Sequence, residues 1–285
     1  MATESLNLWI EDLTNDQVGL RLRLRECLYA ANSPFQRIAV FDSVAFGRVL
    51  CLGNSIALTD ADEALYAEHL VHPALAAMPA AKQVLILGGG DGGVAREVAR
   101  YAGVEKITVV EIDRQVVEVC GKFFAHTASG LKDPRVELVI DDAHRFLRDT
   151  DRQFDVIIVD ACELSGPNAA ASDVFHDLGF AASVFRRLRE GGVLIAPLGC
   201  PSLVGDDARA TLRTLAEKFR PRVYQMAVPS YPGGTWAVAW CSTAIAPGDQ
   251  VAPQPWHNRL KSWHPGLQAA QFALPRVVQA QLGLH

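Results

Sequence analysis

The stretch Leu87-Gly88-Gly89-Gly90-Asp91-Gly92-Gly93 puts a carboxylate inside a glycine-rich turn, between the apolar run Val84 to Leu87 and a helical pattern beginning near Val94. Gly88, Gly90 and Gly93 satisfy the spacing G-x-G-x-x-G, and Glu111 closes the next apolar run at the offset of a ribose-binding acid. In a dinucleotide site the diphosphate sits on the helix N-terminus against backbone amides. Asp91 would stand beside it, and like charges a few ångströms apart in a partly dry site repel strongly. The turn therefore selects for a ligand with an adenosine end and a positively charged tail.

More acids follow the later apolar runs: Glu111 and Asp113 the second, Asp141 and Asp142 the third, Asp160 with nearby Glu163 the fourth. Any one of them fits a helix N-cap or an exposed loop charge. As a set they repel one another unless something cationic is bound among them. In an open parallel sheet they share the rim outside the carboxyl ends of the strands, where ligands bind. Glu111 suits ribose hydroxyls, Asp142 the adenine amino group and Asp91 a sulfonium or ammonium tail. Asp160 then faces a second substrate, and Tyr66 and Tyr231 offer hydroxyls or aromatic walls for a cation.

Holding these groups in place requires an α/β fold. Strand-like runs occur at Val84 to Leu87, Ile107 to Val110, Val136 to Ile140, Val156 to Val159 and Val193 to Ala196. Amphipathic stretches such as Arg114 to Phe124 and Ser172 to Arg189 lie between them, which implies a parallel sheet covered on both faces. Tyr224 to Val228 and Trp236 to Trp240, joined by Pro229-Ser230-Tyr231-Pro232-Gly233-Gly234, read as a closing antiparallel hairpin. Seven strands with that ending resemble the Rossmann-like fold of enzymes that use S-adenosylmethionine. Before Glu63 the segments Leu20 to Leu24, Arg37 to Phe41, Arg48 to Leu52 and Ile56 to Thr59 read as a small antiparallel β unit. The chain thus divides into an N-terminal β-strand domain, 1–62, and a Rossmann-like catalytic domain, 63–285. The Pro-rich piece Ala246 to Pro255 reads as a loop leading to a C-terminal helix.

Composition excludes several classes. With 285 residues, 49% of them apolar, the chain can bury a large core. A net charge of −5 argues against a nucleic-acid-binding surface, and Arg21, Arg23 and Arg25, alternating with leucines, read as the solvent face of a strand. No apolar stretch reaches the roughly 18 residues of a membrane span, and the N-terminus lacks signal-peptide regions, so no membrane and a cytoplasmic location are expected. The six cysteines form no C-x-x-C pair and suit a reducing compartment. His69 and His72 could share a helix face but lack a second ligand pair in sequence; packed or surface histidines are expected and no metal is assigned.

These motifs resemble those of the polyamine aminopropyltransferases, the spermidine synthase family, along nearly the whole chain. The resemblance rests on Ser33-Pro34-Phe35-Gln36, Asp62-Glu63 with Tyr66 and Glu68, the Gly88 to Gly93 turn followed by Arg96-Glu97-Val98, and Glu111-Ile112-Asp113. It continues through Ile140-Asp141-Asp142, Asp160 with Gly166-Pro167, Pro229-Ser230-Tyr231 and Ala270-Gln271-Phe272-Ala273-Leu274-Pro275. It implies transfer of an aminopropyl group from decarboxylated S-adenosylmethionine to an amine, with methylthioadenosine released and no cofactor beyond that co-substrate. Asp91 would hold the donor's ammonium, Glu111 the ribose and Asp142 the adenine. Gln36, Gly88, Gly90, Gly92 and Asp113 would complete the donor site. Asp160 would be the base for the acceptor amine, helped by Tyr66, with Glu163 and Tyr231 in the acceptor site. A homodimer or dimer-based oligomer, built through the N-terminal β unit, is also implied.

The acceptor half departs from the family pattern. The usual Leu-Asp-Gly is Leu52-Gly53-Asn54, the glutamine expected soon after is Ala57, and the His or Gln after the tyrosine is Ala67. Asp-Ser-Ser-Asp-Pro becomes Asp160-Ala161-Cys162-Glu163-Leu164, and the polar stretch after the fifth parallel strand is Pro197-Leu198-Gly199-Cys200-Pro201. Each hydrogen bond lost to a charged amine costs roughly 1.5 to 3 kcal/mol. The expected acceptor is therefore longer, bulkier or less charged at its far end than putrescine. Beside this stand methyl or carboxyaminopropyl transfer from S-adenosylmethionine itself, a non-catalytic adenosyl- or polyamine-binding paralogue, and a nicotinamide-dependent oxidoreductase. Asp91 opposes the first of these, because the carboxylate of intact S-adenosylmethionine would approach an acid.

Overall fold

A computed structural model describes residues 8–14, 18–161, 178–248, 251 and 253–284. Five strands, β1 (Leu8–Thr14), β2 (Val18–Asn32), β3 (Arg37–Ser43), β4 (Gly47–Leu52) and β5 (Ser55–Thr59), form an antiparallel meander in sequence order. Leu22 and Leu24 of β2 are buried while Arg21, Arg23 and Arg25 are exposed, as their alternation requires. Strand β1 was not foreseen. Among its residues of described burial Asp12 alone is buried, and its carboxylate accepts the Ile56 N–H at 2.7 Å, while Trp9 and Leu13 face outward. That is the reverse of the usual apolar-in pattern.

Helix α1 (Glu63–Ala77) leads into the second sheet. Strands β6 (Gln83–Gly88), β7 (Lys106–Glu111), β8 (Val136–Ile140), β9 (Phe154–Asp160) and β10 (Leu188–Gly199) run parallel, and the hairpin β11 (Arg220–Ala227) and β12 (Thr235–Ser242) adds two antiparallel strands. The order is β11-β12-β10-β9-β6-β7-β8. Between them come α2 (Gly93–Val98), α3 (Arg114–Phe123), α4 (Ala125–Ala128), α5 (Ala143–Asp149), α6 (Leu178–Arg187) and α7 (Pro201–Ala216).

Alternate residues of the central strands feed two cores. Val84, Ile86, Val156 and Ile158 pack against Leu70, Val71 and Ala74 of α1. Leu85, Leu87, Ile157 and Val159 pack on the other face with Phe180 and Val184 of α6 and Leu212 and Leu215 of α7. Each such side chain contributes about 1.5 to 3 kcal/mol when fully buried, so the strand ends are held on a stiff frame. After β6 the chain winds to β7 on one side, and β9 later docks on the other. The crevice where winding reverses lies at the carboxyl ends of β6, β7 and β9, the binding position of such sheets.

In place of one C-terminal helix, the final segment has two short ones, α8 (Leu267–Ala270) and α9 (Arg276–Leu282), separated by Pro275. It is strapped to α1: the Glu68 carboxylate accepts the backbone N–H groups of Lys261, Ser262 and Trp263, each at 2.8 Å. His69 bonds Gln271 and Ser262, and His72 bonds the Tyr101 hydroxyl, so both imidazoles are packed between elements. Burial pushes His69 down to about 4.

Candidate active site

Glu111 and Asp91 stand at the glycine turn. Gly90 N–H donates to Glu111 Oε2 at 3.0 Å and Asp113 N–H to Glu111 Oε1 at 2.9 Å, fixing a buried carboxylate at the last position of β7. A Cβ on Gly90 would lie 2.8 Å from Glu111 Oε2, so the approach requires glycine. Asp91 Oδ1 accepts the Gly93 N–H at 2.8 Å, in the first turn of α2. Its carboxyl is pushed above the ordinary Asp range by burial and further by Glu63, against the opposing pull of the Gly93 amide and Arg96.

Asp160 ends β9 directly opposite Gly88 of β6. It is 8% exposed, and Oδ2 has no hydrogen-bond partner among the described residues. The carboxyl lies well above the ordinary Asp range, chiefly through burial and then through Asp91 and Glu111; a hydrogen bond with Tyr66 pulls the other way. Tyr66 meets Tyr231 edge-on, with ring centroids 5.5 Å apart. The Tyr231 hydroxyl donates to the Ala57 carbonyl at 2.7 Å, and its ring packs on Trp236 at 4.8 Å. Tyr231 therefore presents a ring as wall while its hydroxyl proton is directed at the backbone.

A cavity of 720 Å³ is lined by Ile112 and Asp113, which follow Glu111 in the chain, and by Pro34, Phe35, Ile140 and Asp142 among others. Its size and mixed lining suit a nucleoside. Asp142, which lines the cavity, caps α5 with Oδ1 by accepting the Arg145 N–H at 2.8 Å. Asp113 is 1% exposed and its bonds are internal. Its carboxylate takes the Gln115 N–H (3.0 Å), the Ser33 hydroxyl (2.6 Å) and the Gln36 amide (3.4 Å), so it ties the 33–36 turn to α3. Gln36 is held by Asp113 while its neighbours Pro34 and Phe35 line the cavity. Gly88 and Gly92 shape the turn, at φ of +86° and +87°. Glu163 lies outside the described residues.

Sequence reasoning gave no role to the other acids of its motifs. Glu63 pairs with Arg96 through both guanidinium nitrogens (3.2 and 2.8 Å), and Arg96 also reaches Glu97 at 2.8 Å. Asp62 binds Ser230 across 168 positions, a separation that no local pattern reveals.

The geometry has a counterpart among known proteins. Residues 63–250 match the spermine/spermidine synthase domain, and residues 8–60 the spermidine synthase tetramerisation domain. The chain belongs to the spermidine synthase family. A polyamine aminopropyltransferase of Lachnospira eligens is 34% identical over 283 residues, covering 97% of this chain and 98% of the relative. One from Clostridium perfringens is 35% identical over 284 residues, covering 97% and 98%. Among solved structures, spermidine synthase in complex with the transition state analogue AdoDATO superimposes with a TM-score of 0.89 at 31% identity, over 98% of this chain and 96% of that one. Spermidine synthase from Thermotoga maritima gives 0.88 at 31%, over 98% and 95%. As a member of this family the chain is a transferase of the aminopropyltransferase type.

Proposed function

We propose that the chain transfers the aminopropyl group of decarboxylated S-adenosylmethionine to an amine other than plain putrescine, with Asp160 as the base. The observation that carries this is the Asp160 carboxylate. It is buried at the switch point of the sheet, hydrogen-bonded to Tyr66 and unpartnered at Oδ2 among the described residues, beside Asp91 and Glu111.

An alkylammonium with a pKa of about 10 cannot attack until it loses a proton. A carboxylate whose pKa burial has raised is better matched to take that proton near neutral pH. The free amine then attacks the carbon next to sulfur. The C–S bond breaks with its electron pair moving to sulfur, so the leaving group departs as the neutral thioether methylthioadenosine and needs no acid. Placement supplies the rest, worth roughly 7 to 11 kcal/mol where geometry is well fixed. Asp91 holds the donor's ammonium, Glu111 the ribose and Asp142 the adenine. Asp113 lines that pocket and holds Gln36, and Gly88, Gly90 and Gly92 give its turn the needed backbone.

Ala57 and Ala67 are buried and bring no side-chain hydrogen bond to an acceptor; Ala67 packs in the same core as the two tyrosines, while Ala57 meets Tyr231 through its backbone carbonyl. With the Tyr231 hydroxyl bonded to the Ala57 carbonyl, the surface that Tyr66 and Tyr231 offer an acceptor is chiefly aromatic. An amine longer, bulkier or less charged at its distal end fits this wall better than putrescine. The test is kcat/KM for a panel of putrescine, cadaverine, diaminopropane, agmatine, spermidine and monoamines, with product masses read in parallel. One aminopropyl unit added to a non-putrescine amine at the highest efficiency supports the proposal; putrescine leading the panel contradicts it.

In this reading residues 1–62 form an assembly domain and 63–285 the catalytic one. Exposed Leu8, Trp9, Leu13 and Val18 on the first sheet supply apolar surface for a homodimer or dimer-based oligomer. A cytoplasmic location and no cofactor beyond the co-substrate belong to the same proposal. Among the described residues, no helix is long and apolar enough to cross a membrane.

A further inference from the structure

Asp62 immediately precedes α1 and is 4% exposed. Its Oδ1 accepts the hydroxyls of Thr59 at 2.6 Å and Ser230 at 2.8 Å, and its Oδ2 accepts the Ser230 backbone N–H at 2.7 Å. Helix capping does not account for this carboxylate, because its side chain makes no capping hydrogen bond to α1. Among the described residues its carboxylate accepts from Thr59 and Ser230, its own backbone N–H donates to Thr59 Oγ1 at 3.3 Å, and it forms no ion pair with a cation. A buried carboxylate is expensive unless such bonds are kept, so its geometry is closely determined.

What it holds is the loop that carries Tyr231. Ser230 is fully buried, and one residue on, the Tyr231 hydroxyl bonds the Ala57 carbonyl. The loop is thus fastened at two successive residues to the segment running from β5 into α1. Tyr66 lies about one helical turn beyond Asp62 on α1, and its ring meets that of Tyr231 at 5.5 Å. We propose that Asp62 and Ser230 are a positioning pair that sets the spacing of the Tyr66 and Tyr231 rings and thereby acceptor affinity. The donor groups Asp91 and Glu111 stand on the β6 and β7 side and share no hydrogen bond with the pair. This inference rests on the proposed assignment of the two tyrosines to the acceptor wall.

The test is steady-state kinetics of the full chain with its best amine, alongside calorimetric titration of decarboxylated S-adenosylmethionine. Asp62→Asn keeps the size of the side chain but replaces one acceptor oxygen with a donor. The amine KM is expected to rise about tenfold or more, as for loss of a hydrogen bond to a charged group. Donor affinity and kcat stay within about threefold. Ser230→Ala removes only the hydroxyl bond and keeps the backbone one, so a smaller rise of about threefold to fivefold is expected; it carries the test if Asp62→Asn does not fold. A purely structural role would lower the active fraction, and so apparent kcat, without moving KM. An unchanged amine KM, or donor affinity falling in step with it, overturns the inference while wild-type transfer stands. Wild-type protein that transfers to no amine overturns the site reading and this inference together.

Discussion

Gly88 and Asp160 face each other at the last rung of the parallel ladder between β6 and β9, so closely that a Cβ on Gly88 would lie 2.3 Å from the Asp160 carbonyl oxygen. The strand that begins the donor turn and the strand that presents the proposed base are thereby brought together at one point. Gly88→Ala would meet this contact and also a φ of +86°. The backbone conformation alone costs about 1 to 3 kcal/mol in a residue with a side chain. Urea unfolding should show a loss at least this large, together with lost activity. A variant of wild-type stability would mean that the rung is looser than this packing implies.

Asp91 should decide which donor binds. Asp91→Asn removes the charge but keeps the shape, and loss of a charged hydrogen bond of about 1.5 to 3 kcal/mol corresponds to roughly 10- to 150-fold in affinity. Calorimetry should show that loss for decarboxylated S-adenosylmethionine and a smaller loss, or a gain, for the intact compound. An unchanged ratio between the two would remove Asp91 from donor selection.

The carboxylate cluster gives stability a definite pH dependence. Asp91, Glu111 and Asp160 are all raised in the folded protein, each chiefly by burial, so the fold binds more protons than the unfolded chain above about pH 4. Their contribution is present below their ordinary values and is lost as pH rises through the raised ones. A cationic donor offsets the repulsion. The rise in melting temperature on adding decarboxylated S-adenosylmethionine should therefore be larger at pH 8 than at pH 5, measured by differential scanning calorimetry. Equal shifts at both would show that the acids do not bind the donor's charge.

Ala67 tests the acceptor proposal from the opposite direction. Its side chain is buried near Gly93 and the Asp91 carboxylate, where the family pattern carries His or Gln. Ala67→Gln should raise kcat/KM for putrescine about 10-fold or more, if one hydrogen bond to a charged amine is restored, with less effect on bulkier amines. No change for putrescine would place the specificity elsewhere.

Much of this was legible in the sequence. The strands buried on both faces carry uninterrupted apolar runs, and Glu111 and Asp160 stand at their very ends. Chemistry and topology are therefore written side by side in those segments. Strand β1 was hidden because its buried residue is an acid, Asp12, satisfied by a backbone amide of another strand. Asp113 reads as a ligand group; it lines the cavity while its carboxylate also serves Ser33, Gln36 and Gln115, and an N-cap and a binding acid have the same residue type in the same place. The roles of Asp62 and Glu68 depend on partners 168 and about 194 positions away, and hydrogen bonds of that range leave no periodicity to detect.

The most direct test of Asp160 as the acceptor's base is the pH dependence of methylthioadenosine release, at saturating decarboxylated S-adenosylmethionine, for the wild type and Asp160→Asn. The wild-type rate should rise with pH as the buried carboxyl ionises. The variant should bind donor normally, lose about 10²- to 10⁴-fold in kcat, and lack that rising limb. A variant that keeps wild-type turnover and the same pH profile would contradict the assignment of Asp160 and with it the proposed mechanism.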